Sequence, residues 1–110
     1  MNLRSLLKVA DMANLSKEDT GLPRNIFISG KVPLHKPRLK VFVGPFNGAS
    51  ISMSIEDNPK QIAGKAGLLP REDLEKVALW IIKNKELLLD YWYNYSVLET
   101  KKVLNNLKSI

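Results

Sequence analysis

The chain has 110 residues, with 17 Lys and Arg against 11 Asp and Glu, a net charge of +6 and no cysteine. That length suits one domain, residues 1–110, with a modest core; the composition excludes disulfides and thiolate metal sites, and one histidine leaves no ligand set for structural zinc. No stretch approaches the ~18 apolar residues of a membrane span, and Arg4, Lys8 and Asp11 interrupt the N-terminal apolar run that a signal peptide needs, so cytoplasmic residence is expected.

Residues 3–15 (LRSLLKVADMANL) put Leu3, Leu6, Leu7, Ala10 and Ala13 near helical spacing and predict a short amphipathic helix. Gly21 and Pro23 then punctuate the chain. Residues 25–29 (NIFIS), β-branched and aromatic, predict a strand. Pro33 and Pro37 would each remove a ladder donor, so 30–37 is expected to be a loop or an irregular edge. In residues 38–43 (RLKVFV), Leu39, Val41 and Val43 point one way, and Arg38, Lys40 and Phe42 the other. Residues 49–55 (ASISMSI) set Ile51, Met53 and Ile55 against three serines. The GPFNG turn between these strands makes an antiparallel hairpin, and it lacks the lysine and spacing of a phosphate-binding loop. After the EDNP turn at 56–59, KQIAG (60–64) is a fourth short strand or a loop.

Residues 70–93 predict a long helix. Pro70 suits its first position, and Glu72 and Asp73 suit the positive end of the dipole. Leu74, Val77, Ala78, Ile81, Leu88 and Trp92 form an apolar stripe. Trp80, Ile82, Leu87, Leu89 and Tyr91 widen it, which predicts packing on more than one side. Ser96 followed by Glu99 matches a capping box and opens a last helix over 97–108. The element order α-β-β-β(-β)-α-α predicts an α+β fold, a small antiparallel sheet of three to four strands with helices packed on one face. Leu39, Val41, Val43, Ile51, Met53 and Ile55 are the expected core side of the hairpin, each stabilising by roughly 1.5–3 kcal/mol if fully buried.

Charge is unevenly placed. Residues 20–55 contain no acid, yet hold Arg24, Lys31, Lys36, Arg38, Lys40 and the only histidine, His35. A basic block coinciding with the strands fits a polyanion or an acidic protein patch. The candidate binding residues are Arg24, Lys36, Arg38, Lys40 and Phe42: cations to fix phosphate or carboxylate oxygens, and a ring to stack on a base. The plainer reading is a solvated strand face whose cations blunt the sheet edge. His35 is the one acid–base candidate, although a general acid or base needs a second group to orient it. Tyr91, Tyr93 and Tyr95 in YWYNY are a candidate protein interface, with core packing as the alternative. No metal and no cofactor are expected.

Residues 23–93 carry a resemblance. The stretches PRLKVFV and ISMSIEDNPKQIAGKAG, the helix start LPREDL and the helix end KELLLDYW are similar to a family of short bacterial proteins of uncharacterised domain type. Some of these resemble the toxin half (DhiT-like) of toxin–antitoxin pairs. The resemblance implies a strand pair followed by a helix, and a phage or mobile-element conflict setting. Those relatives carry two histidines on the strand where this chain has Arg38, Leu39 and Lys40, with His35 near an earlier family histidine. Arginine can hold a phosphate but cannot act as a base.

The function expected first is a non-enzymatic, inhibitor-like binding module whose basic sheet face engages RNA, DNA or a protein partner such as an antitoxin or a nucleic-acid enzyme. The alternatives are a toxin-like ribonuclease using His35, Arg38 and Lys40, and a protein-interaction or homo-oligomerisation module using the 91–95 aromatics.

Overall fold

The computed structural model describes residues 12–29, 35–46 and 48–94. In chain order they form β1 (Met12–Leu15), a single helical turn α1 (Lys17–Thr20), β2 (Ile26–Ser29), β3 (Arg38–Phe42), β4 (Ser50–Ser54), β5 (Gln61–Ala63) and a long helix α2 (Arg71–Asn94). The five strands form one sheet in sequence order, each antiparallel to its neighbours. The architecture is α+β, with one strand more than the upper expectation of four.

That extra strand replaces part of the helix expected over 3–15. Residues 12–15 pair with β2, from Met12↔Ser29 to Leu15↔Ile26. Four residues span barely one helical turn, so pairing decides their conformation, and it gives Leu15 a fully buried place. The remainder of that expected helix, residues 3–11, lies outside the described residues. So do the expected helix 97–108 and its Ser96–Glu99 box.

The chain turns from β1 into β2 through α1. The Ser16 hydroxyl accepts from the Asp19 N–H at 3.3 Å, and the Asp19 carboxylate accepts from the Ser16 N–H at 2.9 Å. This reciprocal cap satisfies two orphan donors. Gly21 ends the turn in the left-handed region at φ 79°, where its N–H donates to the Lys17 carbonyl. Asn25 then links two loops: its carbonyl oxygen Oδ1 accepts from the Lys17 N–H, and its Nδ2 donates to the Gly44 carbonyl.

β3 and β4 form the expected hairpin, in the register Arg38↔Ser54 to Phe42↔Ser50. β5 follows across a register shift at Ser52/Met53. Gly64 closes that edge at φ 97°, and a Cβ there would lie 2.9 Å from the Ile51 Cα. No other residue type fits both constraints without strain.

Register sorts the residues into two faces. Leu15, Ile26, Val41 and Ile51 stand in one cross-strand row, and Ile28, Leu39 and Met53 in a second. All seven are buried and join one core with Val77, Trp80, Ile81, Leu88 and Tyr91 of α2. Val43, Leu74 and Ala78 are only partly buried against it. The expected breadth of the helix stripe holds for Trp80 and Tyr91 but not for Ile82. Leu79, Ile82 and Tyr93 are 65%, 47% and 55% exposed, on the side of α2 turned away from the core. At 3.6 residues per turn these three fall on one helical face.

One ion pair joins the helix to the sheet. Arg24 Nε donates to Asp73 Oδ2 at 2.8 Å, and its Nη1 donates to the Val43 carbonyl at 2.7 Å. The two side chains are 24% and 10% exposed. The pair therefore ties the loop before β2, the end of β3 and the first turn of α2 together. No described helix is long and apolar enough to cross a membrane.

Candidate functional site

The sheet face opposite the core row is built from the alternate residues of each strand. Asn14, Phe27, Lys40, Ser52 and Ala63 form one continuous cross-strand row over all five strands. Phe42↔Ser50 and Arg38↔Ser54 flank it. Alternation in a pleated strand dictates this membership, since Asn14, Phe27, Lys40 and Ser52 each neighbour a core residue.

This face is not the uniformly solvated surface that alternation alone suggests. Lys40 is exposed and Arg38 half-buried, while Phe42, Ser52 and Ser54 are buried. The Ser54 hydroxyl is engaged in the β4–β5 bend: it donates to the Lys60 carbonyl and accepts from the Lys60 N–H. Among the described residues, no hydrogen bond engages the Ser52 hydroxyl.

Among the depressions lined by described residues, two adjoin on this face. The smaller, about 270 Å³, is lined by Phe27, His35, Arg38, Lys40, Ser52 and Trp92, with Leu39 behind. The larger and shallower, about 490 Å³, is lined by Asn14, Phe27, Lys40, Phe42, Phe46 and Ser50, with Gly48 at its edge. Phe27 and Lys40 border both, so they form the divide between two adjoining concavities. The Lys40 Nζ lies 5.8 Å from the centroid of the Phe27 ring, a cation–π contact. Phe42 and Phe46 meet edge to face, with centroids 5.6 Å apart and planes at 67°.

Of the residues singled out from sequence, Arg38, Lys40, Phe42 and His35 come together here. Arg24 does not join them: its guanidinium is occupied by Asp73 and the Val43 carbonyl. Lys36 is exposed and borders neither depression; its carbonyl accepts from Arg38 Nε at 3.3 Å, which steadies the guanidinium at the rim. Tyr91 is fully buried in the core and so offers no interface. Tyr93 is exposed, and Tyr95 lies outside the described residues.

Asn14, Phe27, Phe46 and Trp92 were missed from sequence, whereas the serines of β4 belong to the face that alternation predicts. Phe27 sat in a run taken only as strand, although its alternation with Ile26 and Ile28 already put it opposite the core side. Phe46 lies in turn chemistry, Asn14 falls in the stretch expected to be a helix, and Trp92 belongs to the apolar stripe of the long helix. Nothing local marks Trp92, because the fold alone brings β4 and the end of α2 to the same cavity.

Chemically, the face offers aromatic planes, two cations, an imidazole, a side-chain amide and hydroxyls. The described residues lining either depression include no carboxylate. No group of three or more His, Asp or Glu among the described residues could hold a metal ion. The clear pKa displacement lies elsewhere: Lys85 is raised above its ordinary 10.5 by the hydrogen bond and charge of Asp57. No known family model matches this chain, and no curated protein or solved structure matches it either.

Proposed function

We propose that this chain is a single-strand nucleic-acid-binding module, and that the sheet face around Phe27 and Lys40 is its binding surface. One observation carries the reading: aromatic rings and cations alternate over two adjoining concavities, with Lys40 and Phe27 at the divide. Bases of a single strand are unstacked and can lie on Phe27 and Phe46, which is sequence-tolerant because every base has a π-face. A sheet whose aromatics stack bases is a recurrent way to hold RNA. Lys40 between two base sites is placed for the phosphate that joins neighbouring nucleotides, with Arg38 placed for the next one. In the free protein Lys40 rests over Phe27, so a base landing on that ring would push the ammonium group toward the backbone.

The acid-free block supports the same reading by removing competitors. An acidic side chain on this face would repel phosphate and draw off the cations. Duplex nucleic acid fits less well, because its bases are not free to stack on rings set within concavities. Cleavage needs a second acid–base group beside His35, and the described lining supplies none, so these residues support binding without hydrolysis. The toxin–antitoxin setting rests on the sequence resemblance alone.

The test is a fluorescence anisotropy titration of labelled single-stranded RNA, single-stranded DNA and duplex, at about 50 and about 200 mM salt. Binding of single strands that weakens steeply with salt is expected, with duplex weaker. Equal binding of duplex, or no binding of any at the lower salt, would remove this reading.

A further inference from the structure

Ser52 differs from Ser54, its neighbour on the binding face. It is 9% exposed, sits at the centre of the cross-strand row between Lys40 and Ala63, and lines the smaller cavity. Among the described residues its hydroxyl has no hydrogen-bond partner. Among the described residues the Trp80 indole N–H, not this hydroxyl, is the buried side-chain polar atom without a partner, so the Ser52 oxygen is open to the cavity and free to pair with a ligand there. The neighbouring Ser54, 5% exposed and two residues on, is paired to Lys60.

The cavity around Ser52 has a definite chemical character. Phe27 and Trp92 give it aromatic walls, Arg38 and His35 flank it with nitrogen donors, and Lys40 closes the side toward the larger depression. At about 270 Å³ it falls just under the roughly 300–1,000 Å³ of sites for larger ligands. A flat ring with polar edges, attached to one anionic group, matches each of these features. The ring would lie against the aromatic walls, a ring carbonyl or amine would pair with the Ser52 hydroxyl, and the anion would meet Arg38 and His35.

We infer that the smaller cavity is a nucleotide pocket, which takes one unstacked base of the bound strand, pairs it with Ser52 and holds its phosphate at Arg38 and His35. This rests on the proposed single-strand reading and adds to it a site that an isolated nucleoside monophosphate can fill. The larger depression, more open and floored by Phe42 and Phe46, holds the next base by stacking alone.

The chain has two tryptophans, and only Trp92 lines this cavity; Trp80 is fully buried in the core. Their indole N–H resonances give a probe and an internal control. The full chain is titrated with uridine and adenosine monophosphates, and with ribose 5-phosphate, in parallel with a single-stranded oligonucleotide. The expected result is a saturable shift of the Trp92 indole and Ser52 amide signals with at least one mononucleotide, none with ribose 5-phosphate, and a stationary Trp80 signal. Ser52→Ala should weaken that mononucleotide about tenfold through the lost hydrogen bond. Ser52→Phe, which fills the cavity, should abolish mononucleotide binding and weaken the oligonucleotide. If the oligonucleotide binds but no mononucleotide moves Trp92 or Ser52, the pocket is overturned and the face reading stands. If ribose 5-phosphate gives the same shifts, the site is a phosphate site and the base pocket is overturned. If neither oligonucleotide nor mononucleotide binds, both readings fail together.

Discussion

The two faces of the five-stranded sheet share every strand and almost every physical constraint, yet they are built from different residues. On the core face, Ile26, Ile28, Leu39, Val41, Ile51 and Met53 are closed off beneath α2 with Trp80, Ile81 and Leu88. On the other face, their immediate chain neighbours Phe27, Lys40 and Ser52 border open concavities. Aliphatic residues fill the first because burial of apolar area is the main stabilising term. Rings, cations and hydroxyls occupy the second, which among the described helical residues only Trp92 of α2 borders. Under the proposed function, stability and binding fall to alternate residues of the same strands, and substitutions one position apart should separate the two properties.

The largest break in that comparison comes from the core side. Trp80→Ala removes a fully buried indole and should lower stability by about 3–5 kcal/mol, a large part of the roughly 5–15 kcal/mol of a typical domain. Chemical denaturation would read this directly. Trp80 is also the site of a buried indole N–H without a partner, so Trp80→Phe should cost less than its loss of area implies.

The next effect separates two arginines of the same acid-free block. Arg24→Met leaves Asp73 nearly buried and unpaired, and strands the Val43 carbonyl. A loss of about 1–3 kcal/mol is expected. Arg24→Lys should recover only part of it, since one ammonium cannot reproduce two directed bonds from a planar fork. Arg38→Met should barely move the denaturation midpoint but should weaken oligonucleotide binding. If Arg24→Met weakened binding without loss of stability, the division of these two cations would be wrong.

Phe27→Ala and Phe46→Ala test the aromatic part of the open face. Each should weaken single-strand binding by between about fivefold and a hundredfold, the worth of one stacked base, while the salt slope stays the same because no phosphate contact is lost. Gly64→Ala belongs to the structural side. Its new methyl would meet Ile51 at a positive φ, for a loss of about 1–2 kcal/mol with little change in binding.

The smallest effect is pH-linked. Lys85 is raised above 10.5 by Asp57, so the stabilisation from this pair is fully present below the unfolded value. It is lost as the pH rises through the higher folded value. Asp57→Asn should flatten that alkaline limb of the stability curve and change little at neutral pH, because the pair is largely exposed.

Much of this fold is legible in the sequence wherever one period persists. Alternation over 38–43 and 49–55 gives the hairpin and its core side, and the 3.6-residue stripe from Leu74 to Trp92 gives α2. β1 is not legible, since four residues carry no usable period and their partner β2 is reached only after α1 and a loop. The cations of the open face are legible as charge without acid, but their division is not. Nothing near Arg24 in the chain announces Asp73, which is 49 residues away. Phe27 could have been placed on the open face by counting from Ile26, whereas Ser52 and Trp92 become neighbours only through the packing of α2.

The most direct test of the division between faces is Lys40→Glu, assayed for both properties in the same preparation. Lys40 is exposed on the open face, and both its strand neighbours, Leu39 and Val41, are in the core. The expected result is an oligonucleotide affinity reduced by more than about tenfold at about 50 mM salt, with the melting temperature unchanged within about 2 °C. A melting temperature that falls in step with affinity, or an affinity that does not move, would contradict the separation of the two faces.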